Sequence, residues 1–265
     1  MTQLYLSTAV ICLTAVLFLE SVFPLRAAPV PLRRWLRNLG LSALSLGVTV
    51  LSPLLFWLLL RVLRVAPGDG GFAHWNMPTW FEWLATFLLM DAIAYALHRL
   101  SHAWPWLWRL HAVHHSDIEL DVTTTHRHHP LEALVGAFVT LPVLLVLAPP
   151  PAAVFAYSLL AVAVSTVSHG NLHLSPVLDR ALRPVVVTPA FHRVHHSALR
   201  AQTDSNYATV FPLFDYLLRS AGTIPADGGR RLKIGLETQR DAASQSLAAM
   251  LLAPFHRGVR RGEGN

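Results

Sequence analysis

The chain has 265 residues, 53% of them hydrophobic and only 14% charged, with a mean hydropathy of +0.43; a typical soluble domain is about 25% charged. That composition excludes a disordered chain, a coiled coil and a disulfide scaffold, and it argues against an ordinary soluble enzyme. The formal charge of +6 arises from 21 Lys+Arg against 15 Asp+Glu, and on so apolar a chain it reads as membrane orientation rather than nucleic-acid binding.

A helix crossing the hydrocarbon core takes about 20 mostly apolar residues. Met1 to Leu19 is uncharged, carries the single cysteine, Cys12, and continues past Glu20 to Pro24. It lacks a basic leading region and is too long for a signal peptide, so it reads as a membrane span. Asn38 to Leu60 is uncharged, with Pro53 a point where the helix is expected to kink. Trp80 to Leu97 is interrupted only by Glu82 and Asp91. Ala133 to Ser168 is one uncharged run, too long for a single span and broken by Pro149, Pro150 and Pro151. Split there, it predicts a helical hairpin that just spans the bilayer or turns round inside it.

Arginine placement gives the orientation. Arg26, Arg33, Arg34 and Arg37 follow the first span with no acid among them. Arg61 and Arg64 follow the second, before a Pro/Gly-rich stretch through Gly71. The positive-inside rule puts residues 25–38 in the cytoplasm. The second span then goes out, the third returns to a cytoplasmic His98, and the hairpin brings His169 back to the same side. The remainder to Asn265 is expected inside, with Leu247 to Phe255, followed by Arg257, Arg260 and Arg261, as an amphipathic helix on the membrane surface. The chain shows no internal repeat and no low-complexity linker.

The 15 histidines equal the carboxylates in number, and their spacing carries the chemistry. His74 and His256 stand alone and read as surface residues. His98 and His102 form an HxxxH, His111, His114 and His115 an HxxHH, His169 and His173 another HxxxH, and His192, His195 and His196 another HxxHH. His126, His128 and His129 lie between. On a helix, positions i, i+3 and i+4 share a face. HxxxH therefore presents two imidazoles to one point; HxxHH does the same, and its third ring can reach a neighbouring point. Ten imidazoles at such spacings exceed the need of one metal and suit two. All four groups adjoin the ends of apolar segments, where uncompensated polar side chains are costly.

With Cys12 remote, thiolate zinc and iron–sulfur sites are excluded; imidazole suits Fe, Zn, Cu and Ni. The Glu-x-x-His pair of soluble di-iron bundles does not occur, although Asp91, Asp117, Glu119, Asp121 and Glu132 lie nearby. Neutral histidines beside membrane spans point to non-haem iron and oxygen chemistry.

The residues from Asp91 to Asp215 resemble the fatty acid hydroxylase superfamily, which includes sterol desaturases. The resemblance rests on Asp91-x-x-x-Tyr95-x-x-His98-Arg99-x-x-His102, on Leu107-Trp108-Arg109-x-His111-x-x-His114-His115-Ser116, and on Asp121-Val122-Thr123-Thr124. It continues through Arg127-x-His129-Pro130-x-Glu132, Thr188-Pro189-x-x-His192-Arg193-Val194-His195-His196-Ser197, Asn206-Tyr207 and Asp215. It implies an all-α integral membrane protein with about four transmembrane helices or hairpin arms and a cytoplasmic, helical, His-rich di-metal domain. The chain then divides into transmembrane helices at 1–90, a catalytic region at 91–223 that includes the hairpin 133–168, and a cytoplasmic tail at 224–265.

By matching position the metal ligands would be His98, His102, His111, His114, His115, His169, His173, His192, His195 and His196. The implied cofactors are two Fe ions, with Zn as a replacement, and O2 as co-substrate. The implied reaction hydroxylates or desaturates a lipid from the bilayer. Electrons would come from an external donor of cytochrome b5, ferredoxin or reductase type, since no Gly-rich nucleotide fingerprint accompanies the histidines. Asp91 is expected to accept a ring N–H from a ligand or to pair with Arg99; Tyr95, His129 and Asn206 are expected around the site. His126 and His128 depart from the family pattern and are expected to be bystanders. Phe214 to Arg219 departs from it as well, which bears on the C-terminal fold. The expected location is a bacterial inner membrane with the histidines facing the cytoplasm. The rival readings are a His-rich membrane metal-binding or transport protein without redox catalysis, and a zinc enzyme of hydrolytic or isomerase type.

Overall fold

The computed structural model describes residues 2–27, 32–62 and 71–256. Among them all regular elements are helical, and extended pairing is limited to isolated bridges at Pro24–Leu172 and Ser197–Ile234. First come α1 (Thr2–Val22), α2 (Leu32–Val62), the one-turn α3 (Gly71–His74) and α4 (Thr79–Ala103). Then follow α5 (Pro105–His115), a 3-10 turn (Val122–His126), α6 (Pro130–Leu147) and α7 (Pro151–His169). Shorter helices complete the chain: α8 (Pro176–Leu182), α9 (Pro189–His195), α10 (Arg200–Thr203), α11 (Leu213–Leu217) and α12 (Leu247–Leu252).

Among the described residues four helices, α1, α4, α6 and α7, are long and apolar enough to cross a membrane. At 1.5 Å per residue α6 and α7 are each about 27–28 Å long, close to a hydrocarbon core of about 30 Å. The prolines make the hairpin as expected. Ala148 closes α6 in the left-handed region (φ 43), Pro150 stays extended, and Pro151 opens α7 at the position where a missing N–H costs nothing. None of the described side chains of α6 is buried, as suits a helix that lipid surrounds. The uncharged run from Asn38 lies within α2, which continues through Pro53 as one helix and packs along α6.

Among the described residues, polar contacts join α1 to the rest through Glu20 and α2 through its first half. Arg34 makes a bidentate pair with Asp117 (2.7 and 2.8 Å) and also reaches Asp121 and Thr124. Arg127, fully buried, donates to Asn38 Oδ1, Val113 O, Ser116 Oγ and Gln245 Oε1. Asp121 caps the 3-10 turn through Thr123 and Thr124. Breaking one partner of such a buried pair costs about 3–5 kcal/mol. The Asp-Val-Thr-Thr and Arg127 signatures are therefore structural: they fix the connection between α5 and α6 to α2.

The segment expected as a cytoplasmic tail packs onto α2 and α5. Met250 on α12 is buried with Leu41 and Val113, and Gln245 donates to Ser116 O. The surface helix expected over Leu247 to Phe255 is six residues followed by a short 3-10 turn, with Leu252 and Phe255 exposed. Arg257, Arg260 and Arg261 lie outside the described residues.

Candidate metal centre

The histidines converge where α4, α5, α7 and α9 meet. α4 continues past the apolar run through His102, so His98 and His102 are one helical turn apart. α5 carries His111, His114 and His115. His169 is the last residue of α7. α9 begins at the Thr188 cap and Pro189, carries His192 and His195, and ends at His196. The His-bearing ends of α4 and α7 and the start of α6 thus lie together, at one end of the apolar helices.

Two groups result. Ligand atoms of His98, His102, His111, His115 and His195 lie within 4.8 Å of one another, and so do those of His114, His169, His192 and His196. All nine rings except that of His98 belong to buried residues. Each HxxHH is shared: His111 and His115 serve the first group and His114 the second, while His192 and His196 serve the second and His195 the first.

Hydrogen bonds fix several tautomers. His98 Nδ1–H donates to Tyr207 O (2.6 Å), His195 Nδ1–H to Ser205 O (2.7 Å) and His169 Nδ1–H to Ser165 O (2.8 Å). His111 Nδ1–H donates to Glu132 Oε1 (2.7 Å). Carbonyl and carboxylate oxygens only accept, so in these neutral rings Nε2 carries a lone pair. His98 Nε2 and His111 Nε2 stand 3.1 Å apart. Two lone pairs at that distance repel unless a cation lies between them. Metal–imidazole bonds of about 2.0–2.1 Å set at right angles put adjacent donor nitrogens about 3 Å apart. His195 Nε2 is buried with no hydrogen-bond partner among the described residues. The donor set therefore fits metal.

Burial, then neighbouring imidazoles, push His114, His115, His192 and His196 well below the usual histidine range. Burial lowers His195 to about 3. At these five rings neutral imidazole, the metal-binding form, is favoured.

Several sequence expectations are corrected. His173 is exposed and lies outside both groups. α7 stops at His169, so the His169–His173 spacing is not helical, and His173 N instead donates to Phe23 O. Asp91 accepts from neither a ligand ring nor Arg99; its Oδ1 accepts from Tyr157 Oη (2.8 Å) and Val210 N (3.3 Å). Tyr95 Oη bonds Ser220 Oγ and accepts from Arg99. His129 caps α6, accepting from Leu131 N, and its Nε2–H donates to Leu251 O. Asn206, at φ 57, donates to Phe191 O and accepts from Gly222 N. It acts through its neighbours: with Asp215, which accepts from Tyr207 N and Ala208 N, it sets the chain so that Ser205 O and Tyr207 O meet His195 and His98.

Two residues matter more than their sequence context suggested. Glu132, in the first turn of α6, accepts from His111 through one oxygen and meets His128 Nδ1 at 3.2 Å through the other. His128 stacks on His114 at 4.3 Å. Burial lowers the His128 pKa, but the Glu132 carboxylate outweighs it and the net shift is upward. His111, His128 and Glu132 also bring ligand atoms within 4.8 Å of one another. Asp204 Oδ1 faces His102 Nδ1 at 3.3 Å. His126 Nδ1 meets Ser42 Oγ at 3.3 Å. A cavity of about 290 Å³ opens onto the rings, with Leu97, His111, His128, Glu132, Val135 and Ser165 in its wall. A groove of about 600 Å³ between α1, α2 and α7 shares His128, Glu132, Ser165 and Thr209 with it.

A family model described as fatty acid hydroxylase matches residues 83–220. The ornithine lipid hydroxylase OlsE of Rhizobium tropici is 28% identical over 185 residues, 69% of this chain and 53% of that protein. Alkylglycerol monooxygenase of Homo sapiens is 27% identical over 192 residues, 71% of this chain and 41% of that protein. Methylsterol monooxygenase 2-2 of Arabidopsis thaliana is 29% identical over 181 residues, 66% of this chain and 65% of that protein. The chain thus spans about half the length of the first two of these relatives. No solved structure matches. The matched region covers more than half of the chain, which belongs to the fatty acid hydroxylase family.

Proposed function

We propose that this member of the fatty acid hydroxylase family is a membrane-bound non-haem iron oxidoreductase that hydroxylates or desaturates a lipid C–H bond with O2 and externally supplied electrons. The carrying observation is the pair of imidazole groups whose Nε2 lone pairs face one another at the floor of a cavity between apolar helices. The relatives named as ornithine lipid hydroxylase, alkylglycerol monooxygenase and methylsterol monooxygenase support the reaction class.

His98, His102, His111, His115 and His195 would hold one ion, and His114, His169, His192 and His196 the other. Bound iron supplies the activation of O2 by externally delivered electrons. The chain supplies the remainder. Tyr207 O, Ser205 O, Ser165 O and Glu132 hold ring protons on Nδ1 and so keep Nε2 free for metal, the usual role of groups behind a ligating histidine. Buried, neutral rings bring no charge to offset the metal, which favours the ferrous state. Apolar walls at Leu97, Val135 and Leu110 exclude water and accept a hydrocarbon chain. The cavity lies between α4 with α5 and the α6–α7 hairpin, which supports lipid entry from the bilayer between the third span and the hairpin. The arginine asymmetry supports a cytoplasmic face for the histidines, where a cytochrome b5, ferredoxin or reductase-type donor would reach them.

The test is oxygen labelling. Membranes containing the protein and a reductase system, given 18O2, should place one 18O atom in a lipid; a desaturase outcome puts the label in water with loss of two lipid hydrogens. Lipid turnover that continues undiminished without O2 would refute the oxidative reading.

A further inference from the structure

A second concavity, of about 630 Å³, lies away from the histidine cavity and plays no part in the proposed chemistry. Its wall carries Arg180, Arg183, Arg230 and Arg231 with two acids, Asp179 and Asp227. Both acids are engaged. Asp179 is buried and accepts from Thr188 Oγ1 (2.6 Å) and Arg183 Nη2 (2.7 Å), and Asp227 Oδ1 accepts from Gly229 N. Arg180, Arg230 and Arg231 are exposed and make no ion pair among the described residues. The concavity therefore holds an excess of positive charge.

Its position relative to the bilayer follows from the chain. Leu25 lies just beyond the end of α1 and Leu172 just beyond the end of α7; both line the concavity. Leu25 N donates to Asn171 O, and His173 N to Phe23 O, so the two helix exits are tied together. Three residues of extended chain reach at most about 10 Å. The site therefore begins at the level of the lipid headgroups. Chain neighbours of its lining residues are apolar and exposed: Val177 and Leu178, between Pro176 and Asp179, and Val185, two residues beyond Arg183, with Val177 71% and Val185 66% exposed. In water such exposed apolar side chains are costly, whereas in the interfacial layer, beside the guanidinium of Arg180 on the same helix, they are favourable.

We propose that this arginine-lined concavity binds the phosphate of an anionic membrane phospholipid. Guanidinium groups match phosphate oxygens in pairs, the exposed apolar side chains seat the acyl chains, and the occupant is a lipid because the site adjoins two membrane exits. The proposal is independent of the reaction assigned to the histidines.

Native mass spectrometry of the full chain in detergent, with dioleoylphosphatidylglycerol and dioleoylphosphatidylcholine as probes, tests it. The wild type should retain the anionic lipid in preference to the zwitterionic one. At about fivefold for each arginine near a membrane surface, the combined Arg180→Gln, Arg230→Gln and Arg231→Gln variant should bind the anionic probe on the order of 100-fold more weakly. A control with Arg33→Gln, Arg61→Gln and Arg109→Gln removes equal charge elsewhere and should stay within a few-fold of wild type. Equal retention of both lipids by the wild type overturns the proposal, and so does equal loss in the two variants. Should the triple variant fail to fold, a photoactivatable anionic lipid on the wild type decides the matter. Crosslinks within 172–183 and 225–231 support the site; crosslinks confined to 257–261, or capture of an acidic protein with no lipid preference, overturn it.

Discussion

Removing the carboxylate behind His111 tests the metal centre where its support is most specific. Glu132 Oε1 accepts the Nδ1 proton of His111 at 2.7 Å, which aims His111 Nε2 at the ring nitrogens of His98 and His115, both 3.1 Å away. Glu132→Ala leaves that proton without its acceptor and frees the ring to turn or change tautomer. Loss of such a partner typically costs 10–100-fold in metal affinity, or about 1.4–2.7 kcal/mol. Glu132→Gln keeps an acceptor oxygen but not the charge, so its cost should fall near the lower end. The general cost to folding should be small: an acid in the first turn of a helix contributes about 0.3–1 kcal/mol. The assay is anaerobic competition for Fe(II) against a chromophoric chelator, with the thermal midpoint of the metal-free protein as the control for folding. Wild-type affinity in both variants would refute the inference that Glu132 orients His111. A collapse of the metal-free thermal midpoint would show that Glu132 serves the fold instead.

Other outcomes follow from the same geometry. His173→Ala should keep full metal content, because the residue is exposed and outside both groups, whereas His114→Ala or His195→Ala should lose at least one metal per chain by elemental analysis; equal loss in all three would show the groups to be wrongly drawn. His126→Ala should also keep its metal, but His128→Ala, which removes the ring stacked on His114 and bonded to Glu132, should lower affinity without emptying the site, as a chelator titration would show. Buried His114, His115, His192, His195 and His196 have folded pKa values below their unfolded ones, so at these positions the unfolded chain takes up protons that the folded chain does not. The thermal midpoint of the metal-free protein should therefore hold above pH about 6.5 and fall as pH drops below it, each such histidine contributing up to about 1.4 kcal/mol per pH unit; a midpoint that rises on acidification would contradict their burial as neutral rings. Reporter fusions near Ala27 and after Asn265 should read cytoplasmic and one near Gly70 external, and any exchange between these compartments would break the orientation drawn from the arginines.

What the sequence determined by itself is what depends on near neighbours along the chain. Apolar runs of bilayer length gave α1, α4, α6 and α7, because a helix satisfies its backbone within one segment and needs only length and composition to be recognised. Pro149 to Pro151 gave the hairpin turn because proline acts on its own and the preceding residue. The i, i+3 and i+4 spacing brought His98 to His102 and His111 to His115 for the same local reason, and it even anticipated that the third ring of each HxxHH would serve a neighbouring point. It failed at His169–His173, where the identical spacing runs across the end of α7; the letters did not show where Gly170 would stop the helix. Only the tertiary structure decided which rings come together in each group, because that depends on how α4, α5, α7 and α9 cross. It also decided that Asp91 meets Tyr157 and not a histidine, and that Glu132 stands behind His111, 21 residues earlier. Contacts of that kind are set by the packing of whole helices, and nothing in the spacing of the acids along the chain encodes it.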